Sequence, residues 1–441
     1  MRIAHLVPYF FPDSVGGTEQ YVLRLSRALQ GNGDEVCVLV PAILGRNHVD
    51  GDYRGVPVHR FPVEIEEGRH GLRPIGMYDG WQAIINFLKH WQPDVVHSHF
   101  IGLIFRAEEV VQAKELGIAV LATLHLPNLG YGCPKGTMVT SDGRICDGKV
   151  EPQRCTNCIL SNRQLSPFLA KPLSRIPTAL GGVLDSLPGR LGTALGMTAR
   201  IRIMQRMQEA WIEHIDKVVL VSQWSRRVLM LNGAPSGKLV TISTGVEVPA
   251  EEARSPKRKE ERPPVKIGYI GRLDPVKGVD ILVQAMRHLP NNENLLLDIY
   301  GTGSHQYTNN LRSMVEGDRR IRLLGLLPEE QVYSKMAEMD LICVPSRCLE
   351  TFSLVVAEAQ AMEVPVIGSD SGGIAEQIRD GLNGRLFPIG DTRALADILL
   401  EVEAHPELID RWRKEAKPPR TSTQMAEEYR ALYETIIRKQ S

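Results

Sequence analysis

The 441-residue chain contains no apolar run of about 18 residues free of charge, proline and glycine, so no segment reads as a bilayer-spanning helix. It also lacks an excess of charge of either sign. Lys+Arg and Asp+Glu both total 52, which leaves no global field to draw nucleic acid or an anionic surface. Pro8 and Pro12 interrupt the first apolar residues before a secretory core forms, so a cytoplasmic protein with its seven cysteines reduced is expected. No Gly-x-Gly-x-x-Gly follows an early strand. Gly301-Thr302-Gly303 lacks the third glycine, which argues against a nicotinamide-dinucleotide oxidoreductase. What is present is an ordinary globular composition, 43% hydrophobic and 24% charged, in a chain too long for one comfortable core.

The pattern along the chain predicts an α/β protein of two doubly wound, Rossmann-like domains. Ile3–Val7 reads as a strand, Gly16-Gly17 as a turn, and Thr18–Leu29 as a helix with Tyr21, Val22, Leu25 and Leu29 on one face. Glu35–Val40 is the next strand, completing a βαβ unit and hence a parallel sheet. Strands are also expected at Val95–Ser98, Ala119–Ala122 and Lys217–Val221. Residues 249–264 are rich in Glu, Arg, Lys and Pro and read as a linker between a first domain, 1–248, and a second, 265–415. The second restarts with a strand at Val265–Ile270, followed by strands at Leu295–Tyr300, Leu341–Val344 and Val364–Ile367. A last helix within 416–441 carries Tyr429, Tyr433, Ile436 and Ile437 on one face and is expected to cross back to the first domain. Two such sheets are expected to face a cleft, with ligands at the carboxyl ends of their strands.

The chemistry-bearing residues cluster at those strand ends. Gly271 to Gly278 links a strand to a helix and carries Arg272 and Lys277, two cations beside a helix N-terminus, a setting suited to phosphate. The same pair also fits a plain surface loop. Glu350 and Glu358 flank Thr351-Phe352-Ser353-Leu354 at the start of an apolar helix. Glu358, among Val355, Val356 and Ala357, needs partners if buried, and either a neighbouring side chain or a ribose diol serves. His99 and His125 stand at first-domain strand ends, where a structural hydrogen-bonded histidine is the plain alternative.

Taken in order, Gly16-Gly17, the Gly271–Gly278 loop, the two glutamates with seven residues between them, Ser369–Glu376 and Asp380–Gly384 resemble the retaining family-four glycosyltransferases of the GT-B fold. The resemblance covers most of the chain. It implies sugar transfer from a nucleotide-diphosphate sugar to a hydroxyl acceptor such as a glycan, a lipid-linked intermediate or a small metabolite. Arg272, Lys277 and the Gly16-Gly17 backbone would hold the diphosphate, and Glu358 the ribose. Glu350, with the backbone around Phe352, Ser353 and Leu354, would face the donor sugar. His125 would lie near the reacting sugar, with His99 as a further candidate. Where the family often has Gly-Phe-Gly, this chain has Thr351-Phe352-Ser353, which loosens any inference about donor identity. No Asp-x-Asp motif of the metal-dependent transferases is read, so no catalytic cofactor is expected. The same fold also serves epimerases, phosphorylases and non-catalytic nucleotide-sugar binders.

Two insertions remain. The first, about 130–160, holds Cys133, Cys146, Cys155 and Cys158, with gaps of twelve, eight and two residues. That spacing suits a structural four-thiolate zinc site in a segment with few apolar residues, with reduced thiols or a disulfide as the alternatives. The second, about 161–208, reads as a basic helical insertion: seven basic residues against Asp185 alone, interleaved with apolar ones in short amphipathic pieces broken by Pro and Gly. It reads either as a peripheral membrane contact or as a solvated lid.

Overall fold

A computed structural model describes residues 1–43, 50–63, 79–100, 105–125, 133–163, 165–250, 264–290 and 294–439. The chain divides into two compact units, the first Met1–Thr244 with Ser422–Ser441, the second Gly245–Thr421. The linker expected at 249–264 lies largely outside the described residues.

The first unit opens with β1 (Arg2–Leu6), α1 (Gly17–Gly31) and β2 (Glu35–Ile43), the βαβ unit read from the sequence. Tyr21, Val22, Leu25 and Leu29 form the buried face of α1. Next come β3 (Gly51–Tyr53), β4 (Val56–Val63), α2 (Asp79–Trp91), β5 (Val95–Ser98), α3 (Ala107–Glu115) and β6 (Ala119–Leu124). The insertions form α4 (Pro152–Asn162), α5 (Pro167–Ser174), α6 (Thr178–Leu184), α7 (Gly189–Leu195) and α8 (Met197–His214), before β7 (Lys217–Leu220), α9 (Gln223–Leu231) and β8 (Leu239–Thr241). The sheet order is β3-β4-β2-β1-β5-β6-β7-β8. Every pairing is parallel except the short β3–β4 hairpin. Both faces of β5 and β6 are buried, as a sheet covered by helices on two sides requires.

The second unit contains β9 (Val265–Ile270), α10 (Val279–His288), β10 (Leu295–Tyr300), α11 (His305–Val315), β11 (Ile321–Gly325), α12 (Val332–Ala337), β12 (Leu341–Val344) and α13 (Leu354–Ala361). It continues with β13 (Val366–Ser369), α14 (Gly372–Ala375), β14 (Gly384–Phe387), α15 (Thr392–Ala404) and α16 (Glu407–Lys414). Its sheet is wholly parallel in the order β11-β10-β9-β12-β13-β14. The predicted strand at 364–367 falls two residues later, because Pro365 can give no ladder hydrogen bond from nitrogen and instead accepts one, from Ile342 N to Pro365 O at 3.0 Å.

The chain then returns to the first unit as α17 (Ser422–Ile437), which packs along α1. Met425, Ala426, Tyr429 and Tyr433 of α17 are fully buried.

Each sheet reverses direction once. In the first unit the chain builds outward from β1 to one side, then resumes at β5 on the other. In the second, β9 and β12 flank the reversal. Loops leaving the carboxyl ends of two such strands diverge to opposite sides and leave a crevice between them, the usual ligand position in open α/β sheets.

Candidate functional site

In the second unit the two loops at that reversal carry the predicted residues. The loop after β9 is held by its glycines. Gly278 has φ 68°, and a Cβ there would lie 2.0 Å from the Pro345 carbonyl oxygen. The loop from β9 and the loop from β12 therefore touch backbone to backbone, and Arg347 N donates to Val276 O at 2.8 Å. Asp274 caps the single turn Pro275–Lys277 by accepting from Val276 N at 2.9 Å. Arg347 grips Asp280 with both guanidinium nitrogens, at 3.1 and 2.7 Å.

Lys277 and Glu350, far apart in sequence, meet here. Lys277 Nζ donates to Glu350 Oε1 at 2.7 Å, and Ser346 Oγ donates to the same oxygen at 2.7 Å. Burial works against the Lys277 ammonium, but the charge and hydrogen bond of Glu350 outweigh it and hold its pKa above the ordinary lysine value. An ammonium has three donors, so one bond to Glu350 leaves two for an anion. Arg272 is exposed, and among the described residues its guanidinium makes no hydrogen bond. Glu350 is further fixed through its backbone, with Gly373 N donating to its carbonyl at 2.7 Å and its own N–H reaching Ser371 Oγ at 3.3 Å.

The Thr351-Phe352-Ser353 departure has a local structural explanation. Ser353 is the N-cap of α13, its hydroxyl accepting from Val356 N at 3.4 Å, so the side chain turns toward its own helix. Thr351 and Ser353 are both buried, while Phe352 and Leu354 are partly exposed at the helix start. Glu358 lies in the second turn of α13 and is only 8% exposed. Cys348, missed by the sequence reading, lies against Glu350 at 3.9 Å, and burial pushes its thiol up to about 12.

In the first unit Gly16 caps α1, and a Cβ there would stand 2.7 Å from Glu19 Oε2. Ser14 Oγ holds the other oxygen of Glu19 at 2.5 Å. The first amides of a fifteen-residue helix, Gly17 onward, thus face the end of the sheet.

Beside that helix lies a buried chain of imidazoles. His125 Nε2 bonds His99 Nδ1 at 3.0 Å, and His99 Nε2 bonds His5 Nδ1 at 2.9 Å. A second branch runs from His97 Nδ1 to Tyr433 Oη at 2.6 Å and from His97 Nε2 to Thr123 Oγ1 at 2.8 Å. Thr123 meets Tyr429 Oη at 2.6 Å, and Tyr429 meets Tyr21 Oη at 2.6 Å. Burial lowers the pKa of His5 and of His125 to about 3, and drives those of His97 and His99 well below the usual value. The rings are therefore neutral, and each hydrogen bond between them fixes a tautomer. His99 is 3% exposed with both nitrogens engaged, so it stands behind His125 as a link. Sequence reading placed Tyr21, Tyr429 and Tyr433 on helix faces but missed their hydroxyl contacts, and it missed His5, because the partners lie up to 408 residues away.

His5, His97 and His99 also have nitrogens within 4.8 Å of one another, close enough to hold a metal ion. Five of their six nitrogens are already hydrogen-bonded, and the sixth, His5 Nε2, is buried without a partner. That is the pattern of a relay more than of an open ligand set. The chain does contain one Asp-x-Asp triplet by spelling, Asp50-Gly51-Asp52, which corrects the sequence reading. Asp50 accepts from His59 Nδ1 at 3.0 Å and Arg60 N at 2.9 Å, and Asp52 accepts from Gly55 N at 2.8 Å, so the triplet builds the β3–β4 hairpin.

The four insertion cysteines are all unpaired thiols. Cys155 and Cys158 lie one turn apart on α4, and Cys146 ends a small hairpin closed by Cys146 N to Met138 O at 2.8 Å. Arg154 Nη2 and Gly148 N donate to Cys146 Sγ at 3.1 and 3.5 Å, and Lys135 Nζ to Cys158 Sγ at 3.6 Å. Burial raises the Cys155 thiol to about 11, with Cys133 and Cys146 adding to the shift. Among the described residues no three of these sulfurs come within 4.8 Å of one another. No helix among the described residues is long and apolar enough to cross a membrane.

Comparison with known proteins bears on both units. The pattern of the family described as "Glycosyl transferase 4-like domain" matches residues 16–245, and that of "Glycosyl transferases group 1" matches residues 250–418. A phosphatidyl-myo-inositol mannosyltransferase of Mycobacterium leprae is 29% identical over 418 residues, covering 93% of this chain and 90% of the relative. The GPI3 subunit of phosphatidylinositol N-acetylglucosaminyltransferase from Saccharomyces cerevisiae is 23% identical, over 85% of this chain and 69% of its own. Among solved structures, Anabaena HepE in complex with UDP superposes with a TM-score of 0.65 at 15% identity, covering 99% of this chain and 100% of that one. A sucrose-phosphate synthase from Thermosynechococcus elongatus gives 0.66 at 17% identity, covering 99% of each chain.

Proposed function

Because the chain belongs to the group 1 glycosyltransferases of the GT-B fold, with a family 4-like first domain, we propose that it moves a sugar from a nucleotide-diphosphate donor to a hydroxyl acceptor with retention of anomeric configuration. The observation that carries this reading is the Lys277–Glu350–Ser346 cluster at the reversal of the second sheet, beside the exposed Arg272. HepE has been solved with UDP and with UDP-glucose, which supports a nucleotide-sugar donor here.

In this reading Arg272 and Lys277 neutralise the diphosphate as it leaves. Breaking the sugar–phosphate bond builds negative charge on the leaving oxygen and positive charge at the anomeric carbon, and cations already in place lower that barrier. Glu358, buried in α13, takes the ribose hydroxyls. Glu350 orients the sugar. Its Oε1 already accepts from both an ammonium and a hydroxyl, which disfavours it as a nucleophile. The donor phosphate then accepts the acceptor's proton on the face the leaving group vacates, which gives retention without a covalent enzyme intermediate. In the first unit, the Gly16-Gly17 amides and His125, held in one tautomer by His99, are the groups this reading assigns to ligand binding. No divalent ion is required by this scheme.

The lipid and inositol acceptors named for the relatives favour a polyol or lipid-linked hydroxyl acceptor. A nucleotide-sugar panel with such acceptors, read by nucleotide release and by product NMR, tests the whole reading. Arg272→Ala and Lys277→Ala are expected to lose about a hundredfold to a thousandfold, chiefly in kcat. Near-wild-type turnover in both variants, or an inverted product anomer, would contradict it. Donor consumption with no acceptor present would favour an epimerase or phosphorylase.

We also propose that the four insertion cysteines hold a structural zinc ion, which requires their sulfurs to draw closer together than they stand here. The all-sulfur donor set suits zinc, and the N–H groups already aimed at Cys146 and Cys158 would stabilise thiolates.

A further inference from the structure

The segment between α4 and α8 is built the wrong way round for helices in water. On α5, α6 and α7 the buried residues are small: Ala170 and Ser174, then Gly181, then Gly192. The glycines are pressed against their supports. A Cβ on Gly181 would stand 2.9 Å from Thr198 Oγ1, and one on Gly192 would stand 1.9 Å from the Leu187 carbonyl oxygen. Leu173, Leu184 and Leu195 are half-buried, and the other large apolar side chains go the opposite way. Phe168 is 89% exposed, Leu169 57%, Leu180 52%, Val183 70% and Leu191 64%. A surface helix of a soluble protein normally buries its large apolar stripe and shows its small and polar residues to solvent. Three successive helices with that order reversed mark a surface that meets something apolar.

Charge says what it meets. The stretch 161–208 holds seven basic residues and one acid, Asp185. Asp185 is engaged by the buried Arg200, whose Nε lies 2.6 Å from its carboxylate. The acid therefore neutralises an internal guanidinium and leaves the exposed cations uncompensated. Lys171, Arg175 and Arg190 are all exposed, on or beside the helices that carry the apolar side chains.

We propose that α5, α6 and α7 are a docking surface for a bilayer of anionic lipids. Phe168, Leu169, Val183 and their neighbours enter the boundary between headgroups and acyl chains, and Lys171, Arg175 and Arg190 meet the lipid phosphates. Apolar burial and headgroup attraction together are what an interfacial helix needs. A second copy of the chain fits less well, because it would set one uniformly basic face against another. This inference is independent of the sugar-transfer reading.

The test is sedimentation of the full-length chain with vesicles of phosphatidylcholine alone, and of phosphatidylcholine mixed with phosphatidylglycerol. The chain is expected to bind the mixed vesicles at least about tenfold more strongly than the neutral ones, and less well as salt rises. Phe168→Ser/Leu169→Ser and, separately, Lys171→Glu/Arg175→Glu are each expected to weaken that binding by about tenfold. The altered side chains are exposed, so circular dichroism and Tm should stay unchanged. If the serine pair misfolds, Leu180→Ser/Val183→Ser takes its place. Failure of the wild-type chain to sediment with the mixed vesicles overturns the proposal, and so does equal binding by well-folded variants. A dimer in solution that the serine variants dissolve would assign the surface to a second copy and likewise overturn it.

Discussion

At the scale of single residues, the buried histidines give the protein a pH-dependent stability whose direction is determined. His5 has a folded pKa of about 3, against roughly 6.5 for an unfolded histidine. Between those values the unfolded chain binds the extra proton, so stability is full above about pH 6.5 and falls as pH drops toward 3. Each such ring costs on the order of 1 kcal/mol per pH unit in that window, and His97 and His99 shift in the same direction. Denaturant titrations at pH 7.5 and pH 5 should therefore show a large loss, and His5→Asn should flatten the slope. A pH-independent midpoint would contradict the neutral cluster. Residue-level roles were only partly legible in the sequence. Arg272, Lys277, Glu350 and Glu358 could be singled out because strand-end loops advertise them. The Ser353 cap could not, because a serine before a helix and a serine beside a sugar are spelled alike. Ser353→Ala is expected to cost about 1 kcal/mol of stability through the lost cap.

Among the elements, those with strong apolar runs were readable to within a residue or two. Val95–Ser98, Val265–Ile270, Leu295–Tyr300 and Leu341–Val344 coincide with observed strands. The β3–β4 hairpin was not read, while 161–208 was read as short amphipathic helical pieces broken by Pro and Gly, without the bounds of α5, α6 and α7. In α5 to α7 many of the large side chains do not face the core, so the apolar residues there mark no element bounds. The cysteine segment is the other element whose stability periodicity cannot explain. If zinc holds it, the purified chain carries close to one equivalent of zinc by elemental analysis, and Cys158→Ser lowers both zinc content and Tm. A metal-free preparation of full stability would remove the assignment. Steady-state turnover should survive a chelator that leaves this zinc in place, since four thiolates offer no open position to a substrate.

For the molecule as a whole, the two-sheet plan was legible because the strand–helix alternation restarts after residue 264. The crossing of α17 back to the first unit was expected from its apolar face. What that helix completes was not, since hydrogen bonds from Tyr429 and Tyr433 to residues some 300 positions earlier leave no local trace. Ending the chain at Thr421 uncovers the hydroxyl and imidazole partners of both tyrosines and the α1 face beneath them. Calorimetry of that truncation should show the first unit melting at least about 10 °C lower, as expected for losing several fully buried side chains, with the second unit's transition unmoved. Equal loss in both units would contradict this partition.

The discontinuity also sets an order on synthesis. A ribosome releases Gly245–Thr421 as one uninterrupted stretch that already holds every strand of its own sheet. The earlier-made unit has to wait for Ser422–Ser441 to clear the exit tunnel before α17 can seat. The part translated first is thus the part finished last, and for that interval the pocket meant for Tyr429 and Tyr433 stands open to chaperones and proteases.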